Sequence, residues 1–229
     1  MTWLWANLGL VWQLTLDHVA LSVPPIILGF LLALPLGWLA NRHQPSRGVL
    51  LSIGGVLYAI PSLPLFVMMP LILGTKILDP INVVVALSIY ALALMVRVAS
   101  DALAAVDTDV IASSTAIGYS DWSRFWRVEL PLAGPVLLAG LRVVSVSTVS
   151  LVSVGAIVGV DSVGFLFLNG FQRAFPEEIL IGIIASVLIA FVFDVVLVLA
   201  GRVLMPWAPV LRSREHPRGL MTEKTVIGQ

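Results

Sequence analysis

The chain has 229 residues, of which 59% are hydrophobic and 11% charged, with a mean hydropathy of +1.03. Water-soluble domains carry about 25% charged residues, so this composition excludes an ordinary soluble protein and places the chain in a membrane. The 13 Lys and Arg balance the 13 Asp and Glu, which leaves no global basic surface for a nucleic acid. With no cysteine, disulfides, thiolate metal sites and cysteine nucleophiles are excluded, and His18, His43 and His216 show no metal-ligand spacing.

The residues before Leu21 do not read as a cleavable signal, because they lack a basic start, contain Asp17 and show no small-residue cleavage site. Trp3, Trp5, Leu8, Val11 and Trp12 predict instead a short interfacial helix over residues 1–20, since indole rings favour the headgroup level. A frayed apolar tail is the other reading. A bilayer core about 30 Å thick needs roughly 20 apolar residues in a helix. Leu21 to Ala40 meets this without a charge. Gly48 to Thr75 is also charge-free, but Pro61, Pro64 and Pro70 must bend or interrupt it. Ile81 to Val96 is shorter and ends at Arg97. Pro131 to Val160 contains only Arg142, and Ile179 to Gly201 only Asp194. The prediction is an all-α, polytopic membrane protein of about five transmembrane helices, with a membrane domain over 21–201 and a tail over 202–229.

Lys and Arg accumulate in cytoplasmic loops. With the N-terminus outside, the inner segments hold Arg42, Arg47, Arg97, Arg124, Arg127, Arg202, Arg212, Arg214, Arg218 and Lys224, against Lys76 and Arg173 outside. That asymmetry predicts an external N-terminus and a cytoplasmic C-terminus, with the polar stretch from Arg212 to Gln229 poorly ordered.

Ser100 to Leu130 is too long for a plain connector. Asp109 is the predicted N-cap of a helix over Val110 to Ile117, and Gly118 its stop. Ser120 then caps a second piece whose Trp122, Phe125, Trp126 and Val128 cover one face, and Pro131 restarts the chain toward the membrane. Ala112, Ser113, Thr115 and Ala116 present a small, smooth surface that can enter a groove on another protein; the first helix could also lie on the inner headgroups.

Two charges fall inside spans. Asp194 precedes Arg202 by eight residues, roughly 12 Å of helix, and Arg142 follows Pro135 by seven, roughly 10 Å. Lone charges at such depth are costly, so the two are predicted to pair; Arg97 is a rival partner, and Asp194 facing the pathway an alternative. Prolines in the second span free carbonyls that are tolerated only beside protein or a wet cavity, which makes Pro61 a pathway candidate. Tyr58, Ser62 and Phe66 recur every four residues, and such an aromatic wall suits a quaternary ammonium; packing against neighbouring helices is the other reading. Asp161, Glu177 and Glu178 lie in or beside the outward loop, as docking charges for an external protein or as helix-capping carboxylates.

No GxSxG, HExxH or glycine-rich phosphate loop occurs, so the chain is not predicted to be an enzyme and cannot hydrolyse ATP through a P-loop. Internal repeats or several charges on an ion path, expected of a self-sufficient secondary transporter, are missing as well.

The residues from Val106 to Gly118 (VDTDVIASSTAIG), followed by Val128-Glu129-Leu130-Pro131-Leu132-Ala133 and Pro135 to Arg142, resemble the cytoplasmic loop of bacterial ABC importer permeases. That loop reads EAA, three residues, Gly, about nine residues, an apolar residue, then Leu-Pro. Ile60-Pro61-Ser62-Leu63 is similar to a second-span sequence of the osmoprotectant branch, the glycine betaine, choline and proline permeases. The resemblance covers about Leu21 to Ala200. Two departures stand out: the motif glutamate falls on Ala112 and its alanines on Ser113 and Ser114, and the glycine-rich outer segment reads Gly159-Val160-Asp161-Ser162-Val163-Gly164.

The resemblance implies a type I ABC importer permease fold in the bacterial inner membrane. It implies a separate ATPase carrying ATP and Mg, a second permease (identical or homologous) and an external substrate-binding protein. It also implies that Ala112, Ser113, Thr115, Gly118, Glu129 and Pro131 belong to the ATPase-coupling segment, and that the cargo is a compatible solute or another small zwitterion or amino acid.

Overall fold

A computed structural model describes residues 2–42 and 44–207. Their apolar runs form ten α-helices: α1 (Thr2–Ala6), α2 (Leu8–Arg42), α3 (Gln44–Ala59), α4 (Ser62–Leu73), α5 (Pro80–Ala104), α6 (Thr108–Ala116), α7 (Asp121–Arg124), α8 (Leu130–Val152), α9 (Gly164–Gln172) and α10 (Pro176–Leu204). A π-helical turn (Phe125–Glu129) joins α7 to α8, and a 3-10 stretch (Ser153–Val158) follows α8. Four helices are long and apolar enough to cross a membrane, and the bent pair α3–α4 raises the number to five.

Several elements differ in extent from the sequence pattern. The first span does not begin at Leu21: α2 is continuous from Leu8, and Leu14 and His18 are already buried. The third span extends to Ala104, because Arg97 sits exposed on α5 and does not end it. Pro131 does not restart the chain: the helix runs on from Asp121, and Pro131 lies within it just after the π turn. The predicted tail from Arg212 lies outside the described residues.

α2 and α5 run parallel at a constant offset. A Cβ added to Gly29 would lie 2.6 Å from the Cβ of Ala91, and one added to Gly37 would lie 2.6 Å from that of Ala99. Between these contacts, Ala33 and Met95 are fully buried. Small residues four apart let the two backbones approach closely, which matters where lipid offers apolar side chains no less than protein does. Half of the apolar window of α5 is buried within the chain, against 11% for α10, so α5 is the central helix and α10 a peripheral one. α3 and α8 flank α5, with Gly54 facing the backbone of Ala93 and Gly140 facing Val98.

His18 ties the opposite half of α2 to α8. Where α8 tightens at Ser153, the Ser153 N–H turns to the carbonyls of Ser150 and Leu151. The Val149 carbonyl loses its helical donor, and His18 Nε2 donates to it across 3.0 Å in the tautomer protonated at Nε2.

The seam sets a stability expectation. Gly37→Leu should lower the yield and melting temperature of the detergent-solubilised protein, by more than the 1–3 kcal/mol typical of overpacking. Gly9→Ala, which meets nothing within 4 Å, should leave both unchanged. Thermal melts of the two variants check this.

Candidate translocation and coupling site

The second span breaks by about 100° between α3 and α4. Two prolines account for the break. Pro61 has no N–H for the Leu57 carbonyl, which accepts instead from the Ile60 N–H at 3.4 Å. Pro64 has none for the Ile60 carbonyl, and there the Tyr90 hydroxyl of α5 donates. The Tyr58 ring meets Tyr90 edge-on at 5.9 Å between centroids. Tyr58 and Pro61 are exposed, Ser62 is half-buried and Phe66 is 1% exposed.

The expectation that Tyr58, Ser62 and Phe66 share one face is therefore corrected. They lie on two helices at an angle, and Phe66 packs in the core with Leu21, Val83 and Val152. Phe66 also lines a mostly apolar cavity of about 500 Å³, together with Val67, Pro70, Leu78 and Ile157. Sequence reasoning missed Tyr90. Its signal was a phenol in an apolar span, together with two prolines placed to orphan a carbonyl.

In the connector, α6 is capped by Asp107, whose side chain accepts from the Asp109 N–H at 2.8 Å, so the predicted cap at Asp109 is two residues late. Gly118 has φ +95°. Its N–H bonds the Thr115 carbonyl and the Tyr119 N–H bonds that of Ser114, the paired closure of a Schellman motif. Ser120 caps α7 through the Ser123 N–H. Ala112, Ser113 and Thr115 are exposed, whereas Glu129 is 8% exposed. The Pro131 carbonyl accepts from Trp207 Nε1 at 3.1 Å, which joins the start of α8 to the end of the described chain.

The intramembrane charges meet. Arg142 Nε lies 2.6 Å from Asp194 Oδ1, and its second fork nitrogen 2.8 Å from Oδ2, a bidentate pair between α8 and α10. Arg97 takes no part in it. At the opposite end of the bundle, Glu178 is not a surface charge but fully buried. It accepts from Asn169 Nδ2 at 2.6 Å and faces Arg173 at 3.6 Å, which holds α9 against α10. Glu177 is half-buried and Asp161 exposed.

Removing one partner of a charge pair at membrane depth leaves an uncompensated charge, and removing both does not. Arg142→Leu and Asp194→Leu should each lower yield and thermal stability, and the double variant should recover much of the loss. Strictly additive losses would disprove the energetic pairing. Lowered uptake at normal stability in Asp194→Asn would place Asp194 on the pathway.

The chain matches, over residues 26–208, the family described as binding-protein-dependent transport system inner membrane component. It is 29% identical over 192 residues to the choline transport system permease protein OpuBB of Bacillus subtilis, covering 84% of this chain and 87% of that protein. It is 30% identical over 191 residues to the osmoprotectant import permease protein OsmW of Salmonella typhimurium, covering 82% and 88%. Among solved structures, its fold is similar to a chain of an inward-facing MetNI methionine ABC transporter, with TM-score 0.72, 22% identity and coverage of 84% and 96%. A family match over residues 26–208, joined to a break at Pro61 and an exposed connector helix, identifies the chain as a member of the inner-membrane components of binding-protein-dependent transport systems, the permease subunits of ABC importers, whose ATPase is a separate subunit.

Proposed function

We propose that this permease carries a compatible solute with a quaternary ammonium or related zwitterionic group, such as glycine betaine, choline or proline. Two things support the reading: relatives described as choline and osmoprotectant permeases, and the exposed Tyr58 ring at the break, backed by Tyr90. The break is the observation that carries it. An aromatic face at a bent, polar-backed point attracts an alkylammonium by cation–π interaction without a fixed anion to trap it. Tyr58, Pro61 and Ser62 are the proposed pathway residues, with Phe66 shaping the cavity behind them.

One chain of about five spans encloses no pathway, so two permeases, identical or homologous, face each other. An external binding protein delivers the cargo, and two ATPase subunits, holding ATP and Mg, engage α6 through Ala112, Ser113 and Thr115. Closure of the ATPases moves α6, and the helix running from Asp121 through α8 tilts with it, shifting the population between inward-open and outward-open states. Glu129 and Pro131 lie where that movement enters α8. The proposed orientation places the N-terminus outside and the C-terminus in the cytoplasm of a bacterial inner membrane. It is supported by Arg42, Arg47 and Arg124 gathering at the α6 end, where Arg42 pairs with Asp121 and Arg47 with Asp101.

Uptake into proteoliposomes containing the full complex tests the cargo. Tyr58→Leu should lower choline and glycine betaine uptake several-fold at normal yield, since a cation–π contact is worth about 0.5–2 kcal/mol, and Tyr58→Phe should keep most of it. Wild-type uptake by Tyr58→Leu would remove the aromatic role. A positive φ disfavours any side chain with a Cβ, and a β-branched one most. Gly118→Val should therefore leave membrane insertion intact and abolish substrate-stimulated ATP hydrolysis; full stimulation would remove this turn from coupling.

A further inference from the structure

We propose that Arg124 is the positioning residue through which displacement of α6 reaches α8; the proposal rests on α6 being the ATPase-docking helix. Arg124 sends its guanidinium in three directions. One terminal nitrogen donates to Thr115 Oγ1 of α6 at 2.8 Å, Nε donates to Glu129 Oε1 at 2.7 Å, and the other terminal nitrogen faces Asp121 Oδ1 at 3.2 Å. The Arg124 and Glu129 side chains are 14% and 11% exposed, so water screens the pair little. The Thr115 hydroxyl donates its own proton to the Ile111 carbonyl at 2.9 Å, which fixes its lone pair toward Arg124. Through Asp121 the hub continues to Arg42 at the end of α2, whose guanidinium lies 4.4 Å from the ring centre of Trp38.

The π turn is what brings Arg124 and Glu129 together. Five residues of α-helix make about 1.4 turns, which would leave the two side chains on different faces. Here the Leu130 N–H bonds the Phe125 carbonyl, five residues back, so the turn closes one residue later and Glu129 comes round over Arg124. A planar fork of fixed donors holds three partners at set angles, which an ammonium on a flexible stem does not. α6 and the π turn that leads into α8 are thereby locked through one side chain, although thirteen residues of chain lie between Thr115 and Glu129.

The test uses the full complex with its ATPase and binding protein in proteoliposomes, reading choline molecules imported per ATP hydrolysed. Thr115→Val keeps the shape of an exposed side chain and removes the hydroxyl that accepts from Arg124 and donates to the Ile111 carbonyl; it should lower that ratio several-fold, and Thr115→Ser should restore it. Glu129→Gln and Arg124→Lys should lower it similarly. The double variant Thr115→Val with Glu129→Gln should be no worse than the poorer single, because both cut one relay. A wild-type ratio in Thr115→Val, or losses that multiply in the double variant, would overturn the relay. A Ser113→Cys cross-link to the ATPase separates the two readings: its absence in an otherwise unaltered chain would overturn α6 docking, and with it the relay. Its presence alongside an unaltered ratio in Thr115→Val would overturn the relay alone.

Discussion

Close approach of α2 and α5 through Gly29, Ala33 and Gly37 is the constraint on which the rest of this permease depends. In lipid, burying a large apolar side chain against another gains little over leaving it in the bilayer, so association draws on short backbone distances and on polar links. The parallel seam supplies the first. The second follow at its α6 end, where Asn41 Nδ2 donates to the Ser100 carbonyl at 2.8 Å and Arg47 pairs with Asp101 at 2.9 Å. With α5 fixed at the centre, Tyr90 is held where the Ile60 carbonyl needs a donor, and Val98 where Gly140 lets α8 approach.

At three places where the helical ladder fails, a side chain distant in sequence supplies the missing donor. Tyr90 serves Ile60 at the proline break, His18 serves Val149 where α8 tightens, and Trp207 serves Pro131 at the entry of α8. An unsatisfied carbonyl in hydrocarbon costs several kcal/mol, so a donor from a neighbouring helix lowers the cost of such a break. The proline break is also the proposed pathway. A bent span that exposes Tyr58 is stable only because Tyr90 closes the bond that bending opens.

Charge is distributed with the same economy. Arg124, Asp121, Glu129 and Arg42 form a connected set around the connector helix, and Arg142 and Asp194 join α8 to α10 within the bundle. Both sets converge on α8, which reaches from the connector through the membrane. A helix tied by charge at its entry and again along its length moves as a rigid body, which suits it to carry a displacement from one side of the bilayer to the other.

Composition and apolar run length were enough to establish a membrane protein of about five spans, because the bilayer thickness fixes how many residues a span needs. Local chemistry was legible too: Gly118 as a helix stop and Ser120 as a cap follow from backbone rules acting within a few residues. The meeting of Arg142 and Asp194 was readable from depth along two helices, since a charge at membrane depth needs a partner. Only the tertiary structure decided what depends on neighbours distant in sequence. The period of four that grouped Tyr58, Ser62 and Phe66 fails because the chain turns by about 100° between them, and Phe66 becomes core. Glu178 reads as an exposed outer charge until Asn169 and Arg173 of the preceding segment close over it. The π turn leaves no mark in the sequence, because it is one extra residue absorbed where α7 meets α8, and the Arg124–Glu129 contact exists only once that residue is absorbed.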